Sequence, residues 1–404
     1  MKKVLFVDDE PHVLEGLRHR LYGLRSRWEM FFAESGKTAL EILGREQVDV
    51  IVTDMRMPQM DGTSLLKKVQ ELAVVRIVLS GHGAAAEMET ALRTVAVAPQ
   101  FVTKPSEPGE IENVVERACN LQLLVNDDTI KRIIGKIDNL PSSPRLYSQL
   151  VAALSNENAS AAEVARILKQ DVAICAKTLQ VVNSAFFRLS RSVANIEEAV
   201  TYLGLNTIKH IALVAEAFQQ GHGRRFSSGL SLDALQEHAL LVGEVASSLF
   251  ADKQTKEDAF VAGLLRDIGK LVLAVELPEH LDKVLLEMKG SGCTMHGAEE
   301  KVWGVTHAEV GGYLLGIWAL PYPVIQTLAN HHAPRRVDTK EFGILAAAHV
   351  ANVLVHDELD PRGSGPPGTR LDPGYLEYLG VTGKVDTWRE TTRRHLEKRP
   401  GLGR

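Results

Sequence analysis

The sequence predicts a multidomain protein, in which a doubly wound α/β unit at residues 1–122 precedes an all-α unit at residues 136–356. In the first third, short β-branched runs such as VLFV, VDVIVTD and VRIVLSG alternate with amphipathic segments. That alternation is typical of a parallel sheet covered by helices on both faces. From about residue 130 the strand rhythm disappears, and segments such as RLYSQLVAAL and AAEVARILKQ show helical spacing.

Polar residues follow four of the predicted strands of the α/β unit. Asp8 and Asp9 follow the first strand, Asp54 the third, Ser80 the fourth and Lys104 the fifth. Doubly wound folds bind their ligands at the carboxyl ends of the strands, and three carboxylates held together favour a hard cation such as Mg²⁺. A strand-end aspartate can instead cap the following helix, and for any one of these aspartates that alternative stays open.

The motifs VDDE, TDMRMPQMDG, VLSGHG and VTKP resemble those of the receiver domain of two-component response regulators, which has a flavodoxin-like fold. The resemblance spans about residues 1–122. It implies that Asp54 accepts a phosphoryl group from the histidine of a cognate kinase. It further implies that Mg²⁺ is held by Asp8, Asp9, Asp54 and the backbone carbonyl of Arg56.

The same resemblance gives roles to three residues near the last two strands. Lys104 would pair with the phosphoryl oxygens, Ser80 would move to bond one of them, and Phe101 would be the switch aromatic. Phe101 can also be read as an ordinary apolar strand residue. Phosphorylation adds charge, so new bonds to Ser80 and Lys104 would change the packing of the last helices of the domain.

Helical spacing of apolar residues from Ile111 to Val125 predicts a helix that runs past the edge of the α/β unit. It is either the last helix of that unit or a connecting helix that could support a homodimer. We assign residues 123–135 to a helical connector. Residues 357–404 are predicted to be a Pro/Gly-rich linker and C-terminal tail, with a short amphipathic segment near Val385 to Leu396 and a frayed KRPGLGR end.

The helical region resembles the HDOD domain, a signalling branch of the HD phosphohydrolase superfamily. The segments that carry this resemblance are LPSSP, QDVAICAKTLQVVNSAFF, IEEAVTYLG, EHALLVGEVA, GLLRDIGKLVL, HAEVGGYLLGIWALP and NHHAP, in that order. The match spans about residues 131–355. It implies an output module that acts by binding an unknown downstream protein.

The metal-binding positions of active HD hydrolases are only partly kept. His238 matches the first histidine and Asp267 the second half of the His-Asp pair, whereas His349 falls at the later aspartate position. Arg266 replaces the ligating histidine, and a guanidinium neither deprotonates nor offers an acceptor. We therefore expect Arg266 to pair with Asp267, and we expect no transition metal in this domain.

A hydrolase remains the alternative. His307, His331 and His332 match positions that the HD-GYP branch, the cyclic di-nucleotide phosphodiesterases, uses for additional metals and substrate contacts. With His238, His349 and Asp267 they could form a degenerate metal site, or a buried polar network that holds the helices in register. NHHAPRRVD lacks the GYP triad that follows in that branch, which argues against hydrolysis.

Composition argues against several other classes of protein. The net charge of −5 gives no broad basic field, so no nucleic-acid partner is expected. AVTYLGLNTIKHIAL could be a helix-turn-helix, but only Asn206, Lys209 and His210 could read bases, so core packing is favoured.

No stretch approaches the length of a membrane span, and the three cysteines form no metal or disulfide pattern, so a cytoplasmic protein is expected.

Overall fold

The computed structural model describes residues 1–80, 100–104, 109–138, 140–156, 159–184, 192–221, 231–360 and 370–399. The chain divides into two compact units. The first comprises Met1–Asp138, Gln180–Ser192 and Tyr313–Ala319, and the second comprises Asn139–Leu179, Val193–Gly312 and Leu320–Arg404. Within the described ranges, no helix is both long and apolar enough to cross a lipid bilayer.

A parallel five-stranded sheet forms the centre of the first unit. Its strands are β1 (Lys2–Val7), β2 (Trp28–Ala33), β3 (Val50–Asp54), β4 (Val75–Ser80) and β5 (Gln100–Thr103), in the order β2-β1-β3-β4-β5. Alternate residues of β1 enter two different cores, with Val4 and Phe6 in one and Leu5 and Val7 in the other. Both faces of the sheet are therefore covered, as the continuous apolar strands predict.

Five helices of the first unit are described: α1 (Pro11–Arg20), α2 (Gly36–Leu43), α3 (Gly62–Lys68), α4 (Glu110–Leu121) and α5 (Asp128–Ile134). Side-chain caps fix where several of them begin. Ser35 accepts from the Thr38 amide at the start of α2, and Asp61 accepts from the Ser64 amide at the start of α3. Each cap satisfies a backbone donor that has no partner inside its helix.

The prediction of one helix running from Ile111 to Val125 is wrong. Helix α4 ends at Leu121, and a separate helix, α5, begins at Asp128. The side chain of Asp127 accepts hydrogen bonds from the amides of Thr129 and Ile130, so it caps a new helix. The apolar spacing was continuous, but the polar residues after Val125 favour a new start over an extension. The predicted connector at 123–135 is helical in its second half.

The second unit is built from helices. They are α6 (Pro144–Leu154), α7 (Ala161–Leu168), α8 (Val172–Val182), α9 (Ile196–Gly221), α10 (Leu232–Ser248), α11 (Lys253–Leu265), α12 (Ile268–Glu276), α13 (Pro278–Ser291), α14 (Met295–Val302), α15 (His307–Ile317), α16 (Tyr322–Asn330), α17 (Ile344–Leu359), α18 (Pro373–Tyr378) and α19 (Val385–Glu397). Helices α8 and α15 each continue into the first unit. The α/β and all-α organisation predicted from the sequence is confirmed.

The segment AVTYLGLNTIKHIAL lies in α9. Its chain bends at Gly204, where φ is 74°, a value that favours glycine. After the bend, Ile208, Ile211 and Ala212 are buried. These apolar residues belong to the interior, in agreement with the core-packing interpretation.

Glycines allow two close approaches that position the end of α11. A Cβ atom at Gly243 of α10 would lie 2.8 Å from the carbonyl oxygen of Phe260 in α11. A Cβ atom at Gly269 of α12 would lie 1.9 Å from the carbonyl oxygen of His307. Both distances are too short for any side chain, so these glycines hold the RDIG segment tightly between its neighbours.

The amphipathic segment predicted near Val385 to Leu396 is the helix α19, but the prediction that this region is otherwise a linker and tail is wrong for residues 370–399. Helices α18 and α19 pack against α17, where Tyr375, Leu376 and Trp388 join Val350 and Leu354 in one buried cluster. The sequence did not predict this packing, because its proline and glycine residues indicate a loop whether or not packed helices follow. Residues 361–369 and the predicted frayed end at 400–404 lie outside the described residues.

Candidate functional site

The first candidate site lies at the carboxyl ends of the strands in the first unit. The ammonium of Lys104 lies 2.6 Å from Asp8 Oδ2 and 2.5 Å from Asp54 Oδ1. Asp8 is buried, whereas the side chain of Asp54 keeps 13% of its exposure. One cation therefore links two carboxylates that come from different strands, and Asp54 stays open to a small reagent.

The environment of Lys104 keeps it charged. Partial burial lowers the pKa of its ammonium, but hydrogen bonds to Asp54 and Asp8 raise it, and the balance is a raised pKa. A lysine that stays protonated is a permanent counter-charge for an anion bound at Asp54.

The structure describes the other residues predicted for this site to different extents. The amide of Arg56 donates to Asp54 Oδ2 at 2.6 Å, so the peptide after Asp54 folds back on its carboxylate. Asp9 directly follows Asp8 and is half-buried, whereas Ser80 ends β4 and its side chain is outside the described residues. Phe101 lies in β5, but its side chain is outside the described residues, so its switch role stays a prediction.

Gly62 is a positioning residue that the sequence interpretation missed. A Cβ atom there would lie 2.1 Å from the carbonyl oxygen of Asp54. Its amide donates to the carbonyl of Met55 at 3.0 Å. The start of α3 thus presses directly on the backbone that carries Asp54, which only a glycine permits. The DG pair in TDMRMPQMDG was the available signal, since DG usually marks a tight turn.

The second candidate site is a cluster of potential ligands in the second unit. One atom each of Asp267, His307, His331 and His332 lies within 4.8 Å of the others. From Asp267 Oδ1, His307 Nε2 is 3.2 Å away and His331 Nε2 is 3.8 Å away. His332 Nε2 lies 3.1 Å from His307 Nε2. The structure therefore brings together four of the seven residues predicted for the degenerate HD-like site.

Arg266 lies beside this cluster, as the sequence predicts. Its guanidinium is fully buried, and Nη2 lies 2.8 Å from Asp267 Oδ2. It also donates to the carbonyl of Gly263 at 2.8 Å and to Asn352 Oδ1 at 3.2 Å. The ion pair uses the carboxylate oxygen opposite to the one that faces the histidines.

His238 and His349 lie outside the four-ligand cluster. His238 Nε2 lies 3.3 Å from Asn352 Oδ1, and His349 Nδ1 lies 2.8 Å from the backbone carbonyl of His331. Asn352 of α17 therefore contacts both His238 and Arg266, and the assignment of His349 to the later aspartate position stays a prediction. His349 and Asn352 are three residues apart on one helix, so both fall on nearly the same face.

Two further residues of this cluster were missed from the sequence. Glu299 is fully buried, and its Oε2 lies 2.7 Å from His307 Nδ1 and accepts from the His307 amide at 2.9 Å. Lys270 Nζ lies 2.9 Å from Asp267 Oδ1. Lys270 follows Asp267 by three residues, a spacing that offers a helical ion pair. Glu299 carried no comparable signal, because only the fold brings α14 to His307.

Burial and charge act differently on the ionisable groups here. Burial works against the charged carboxylate of Asp267, but the charges of Arg266 and Lys270 hold its pKa well below its usual range. Burial, with the nearby Arg266 charge, lowers the pKa of His238 to about 3. Burial also holds the pKa of His331 well below its usual range. His238 and His331 are therefore neutral at neutral pH, and Asp267 is charged.

His307 is the exception among these histidines. Burial lowers the pKa of its imidazole, but the Glu299 carboxylate and the bond to Asp267 outweigh this effect, so its pKa is raised. A positive charge between Glu299 and Asp267 is therefore favourable.

Comparisons with family models agree with the order of an α/β unit followed by an all-α unit. Residues 4–116 match the response regulator receiver domain, and residues 140–334 match the HDOD domain. The chain is a response regulator with an HDOD domain. The receiver match contains the Asp54 site, and the HDOD match contains the four-ligand cluster.

Known proteins resemble parts of this response regulator. An uncharacterized protein of Treponema pallidum (strain Nichols) is 29% identical over 227 residues, which are 55% of this chain and 43% of that protein. The transcriptional regulatory protein GlrR of Escherichia coli (strain K12) is 29% identical over 148 residues, 36% of this chain and 32% of GlrR. The response regulator thus spans less than half the length of either relative.

A solved structure of the MmoQ response regulator from Methylococcus capsulatus str. Bath covers 62% of this chain and 98% of its own chain. It has a TM-score of 0.49 and 20% sequence identity. At that level the likeness carries no argument about function.

Proposed function

We propose that Asp54 accepts a phosphoryl group from a cognate histidine kinase and thereby switches the HDOD domain. The observation that supports this role is the placement of Asp54, which is partly exposed and paired with the Lys104 ammonium. A carboxylate oxygen of Asp54 would attack the phosphorus of the kinase phosphohistidine, the phosphorus–nitrogen bond would break, and the kinase histidine would leave. Lys104 would then pair with the phosphoryl oxygens on Asp54. Ser80, at the end of β4, would donate a hydrogen bond to the same group.

Mg²⁺ fits the groups present at this site. The donors are carboxylate oxygens, which a hard cation prefers, and the two carboxylates already share one positive charge from Lys104. Asp8, Asp9 and Asp54, with the carbonyl of Arg56, would hold the ion. When bound, Mg²⁺ supplies positive charge that balances the phosphoryl oxygens.

For the HDOD domain we propose partner binding rather than catalysis. The single observation that carries this proposal is the buried Arg266 guanidinium, paired with Asp267 where an HD hydrolase has a metal-binding histidine. A fixed positive charge beside Asp267 opposes the metal-bound water that such hydrolysis needs. The downstream partner is a protein, and phosphorylation would change the affinity of the HDOD domain for it.

A hydrolase remains the second candidate, because the cluster of Asp267, His307, His331 and His332 could hold a metal. These four ligands would complete a tetrahedral set, whereas a catalytic site keeps one position open for water. The ligand set therefore favours a closed site over a catalytic one.

One experiment tests the non-catalytic proposal. Full-length protein, with and without a small phosphodonor and Mg²⁺, is mixed with a cyclic di-nucleotide in the presence of Mn²⁺ or Zn²⁺. We expect no hydrolysis above the protein-free rate in either state. Turnover by the wild type that disappears in Asp267→Asn but persists in the surface variant Asp282→Asn would overturn the proposal and favour the hydrolase.

A further inference from the structure

We propose that a cavity between helix α18 and the turn that follows α16 binds a free α-amino acid with an apolar side chain. The cavity has a volume of about 360 Å³ and is lined by Arg335, Val337, Asp338, Gly374, Tyr375 and Tyr378. All six residues belong to the second unit and lie beyond residue 334, where the HDOD match ends. Neither family match includes this part of the chain.

An ion pair with Asp372 directs the guanidinium of Arg335. Asp372 Oδ2 lies 2.6 Å from Arg335 Nε, and Arg335 Nη2 donates to Asp372 Oδ1 at 3.0 Å. A guanidinium has five N–H donors in a planar fork, and this pair uses the side-on edge. The end-on edge, which carries Nη1 and the second hydrogen of Nη2, can therefore pair with the carboxylate of a ligand.

Gly374 is a positioning residue for the same guanidinium. A Cβ atom at Gly374 would collide with Arg335 Nη2. The guanidinium therefore occupies the space that a side chain at position 374 would need. Although the side chain of Arg335 keeps 57% of its exposure, Asp372 and Gly374 together fix where its charge lies.

Asp338 supplies the opposite charge in the cavity. Its Oδ1 accepts a hydrogen bond from the Tyr378 hydroxyl at 2.9 Å, and its Oδ2 can accept from a second donor. An ammonium group would make a charge-assisted hydrogen bond there. Arg335 and Asp338 thus match the two charged groups of an α-amino acid.

The charges around the cavity favour a zwitterion over a simple anion or cation. Lys340 Nζ lies 5.9 Å from the centre of the Tyr378 ring and adds a second positive charge to that of Arg335. The carboxylates of Asp338 and Asp372 balance these two charges. A ligand with one net charge would therefore meet two like charges, whereas a zwitterion can pair with both signs.

The remaining walls suit an apolar side chain. Val337, Tyr375 and Tyr378 also line the cavity. Tyr375 is buried, and its ring packs edge-on against His349 with centroids 6.1 Å apart, so the core holds this wall in place. The volume is at the lower end of the range of ligand sites, which favours one amino acid over a cyclic di-nucleotide.

The test is titration calorimetry of the full-length, unphosphorylated chain with L-leucine and with L-phenylalanine. We expect each amino acid to bind at one site per chain. N-acetyl-L-leucine lacks the ammonium group and L-leucinamide lacks the carboxylate, so each should bind at least about tenfold more weakly than L-leucine. These analogues are titrated into the wild type, so this comparison does not depend on whether a variant folds.

Variants then locate the site. Arg335→Gln and Asp338→Asn should each weaken the binding of L-leucine at least about tenfold, and Gly374→Ala should weaken it by displacing the guanidinium. The matched controls Arg394→Gln and Asp282→Asn replace exposed charges that do not line the cavity, and they should bind as the wild type does.

Three results would overturn the proposal. The first is a wild type that binds neither L-leucine nor L-phenylalanine. The second is equal affinity of the wild type for L-leucine, N-acetyl-L-leucine and L-leucinamide, because the two charges would then not be recognised. The third is unchanged binding of L-leucine in Arg335→Gln and Asp338→Asn, because the amino acid would then bind elsewhere.

Discussion

Asp54→Asn is expected to abolish incorporation of a phosphoryl group from a small phosphodonor in the presence of Mg²⁺. An amide oxygen is a poor nucleophile, and the substitution also removes the charge that pairs with Lys104 at 2.5 Å. The measurement is intact-protein mass after incubation with the donor. The wild type should approach one phosphoryl group per chain, and the variant should have none.

A nearby acid gives a matched control for this experiment. Asp61 caps α3 through the Ser64 amide, a task that asparagine performs as well. Asp61→Asn should therefore be phosphorylated like the wild type. Equal labelling of Asp54→Asn and the wild type would remove Asp54 from its proposed role.

Asp267→Ala should lower the free energy of unfolding by about 3–5 kcal/mol, because it leaves the guanidinium of Arg266 buried without its anion. Arg266 has no exposed surface, so water cannot replace the carboxylate. Urea unfolding in the presence of a chelator, followed by helical circular dichroism, measures the loss without a contribution from bound metal.

Two further variants show whether the unpaired charge is the cause. Asp282→Ala removes an exposed acid of α13 and should change stability by no more than about 0.5 kcal/mol. Arg266→Met combined with Asp267→Leu removes both charges, and it should recover most of the stability lost in Asp267→Ala. A double variant as unstable as Asp267→Ala would show that packing, not charge, sets the loss.

The site around Asp54 was predictable because its position follows from the fold. In a parallel sheet the carboxyl ends of all strands meet at one edge, so Asp8, Asp54 and Lys104 had to lie together once the strands were recognised. Ser80 and Phe101 lie in β4 and β5, and their roles in the site stay predictions. Gly62 did not, because its role depends on how closely α3 approaches β3.

The HD-like site was harder to predict because its residues come from several helices. The pairing of Arg266 with Asp267 needed only neighbouring residues and was expected. The contacts of Asn352 with His238 and Arg266 depend on the rotation of α17, which the sequence does not give. Glu299 meets His307 only through tertiary packing. Burial of Trp388 likewise depends on α19 folding back, after a segment whose composition indicates only a loop.

If phosphorylation of Asp54 switches the HDOD domain, hydrogen–deuterium exchange of the full-length chain should detect the change. Full-length wild type and Asp54→Asn are compared with and without a small phosphodonor and Mg²⁺. We expect the phosphodonor to change amide exchange within residues 231–360 of the wild type and to leave that region of Asp54→Asn unchanged. Identical exchange in residues 231–360 of phosphorylated and unphosphorylated wild type would show that phosphorylation of Asp54 does not alter the HDOD domain.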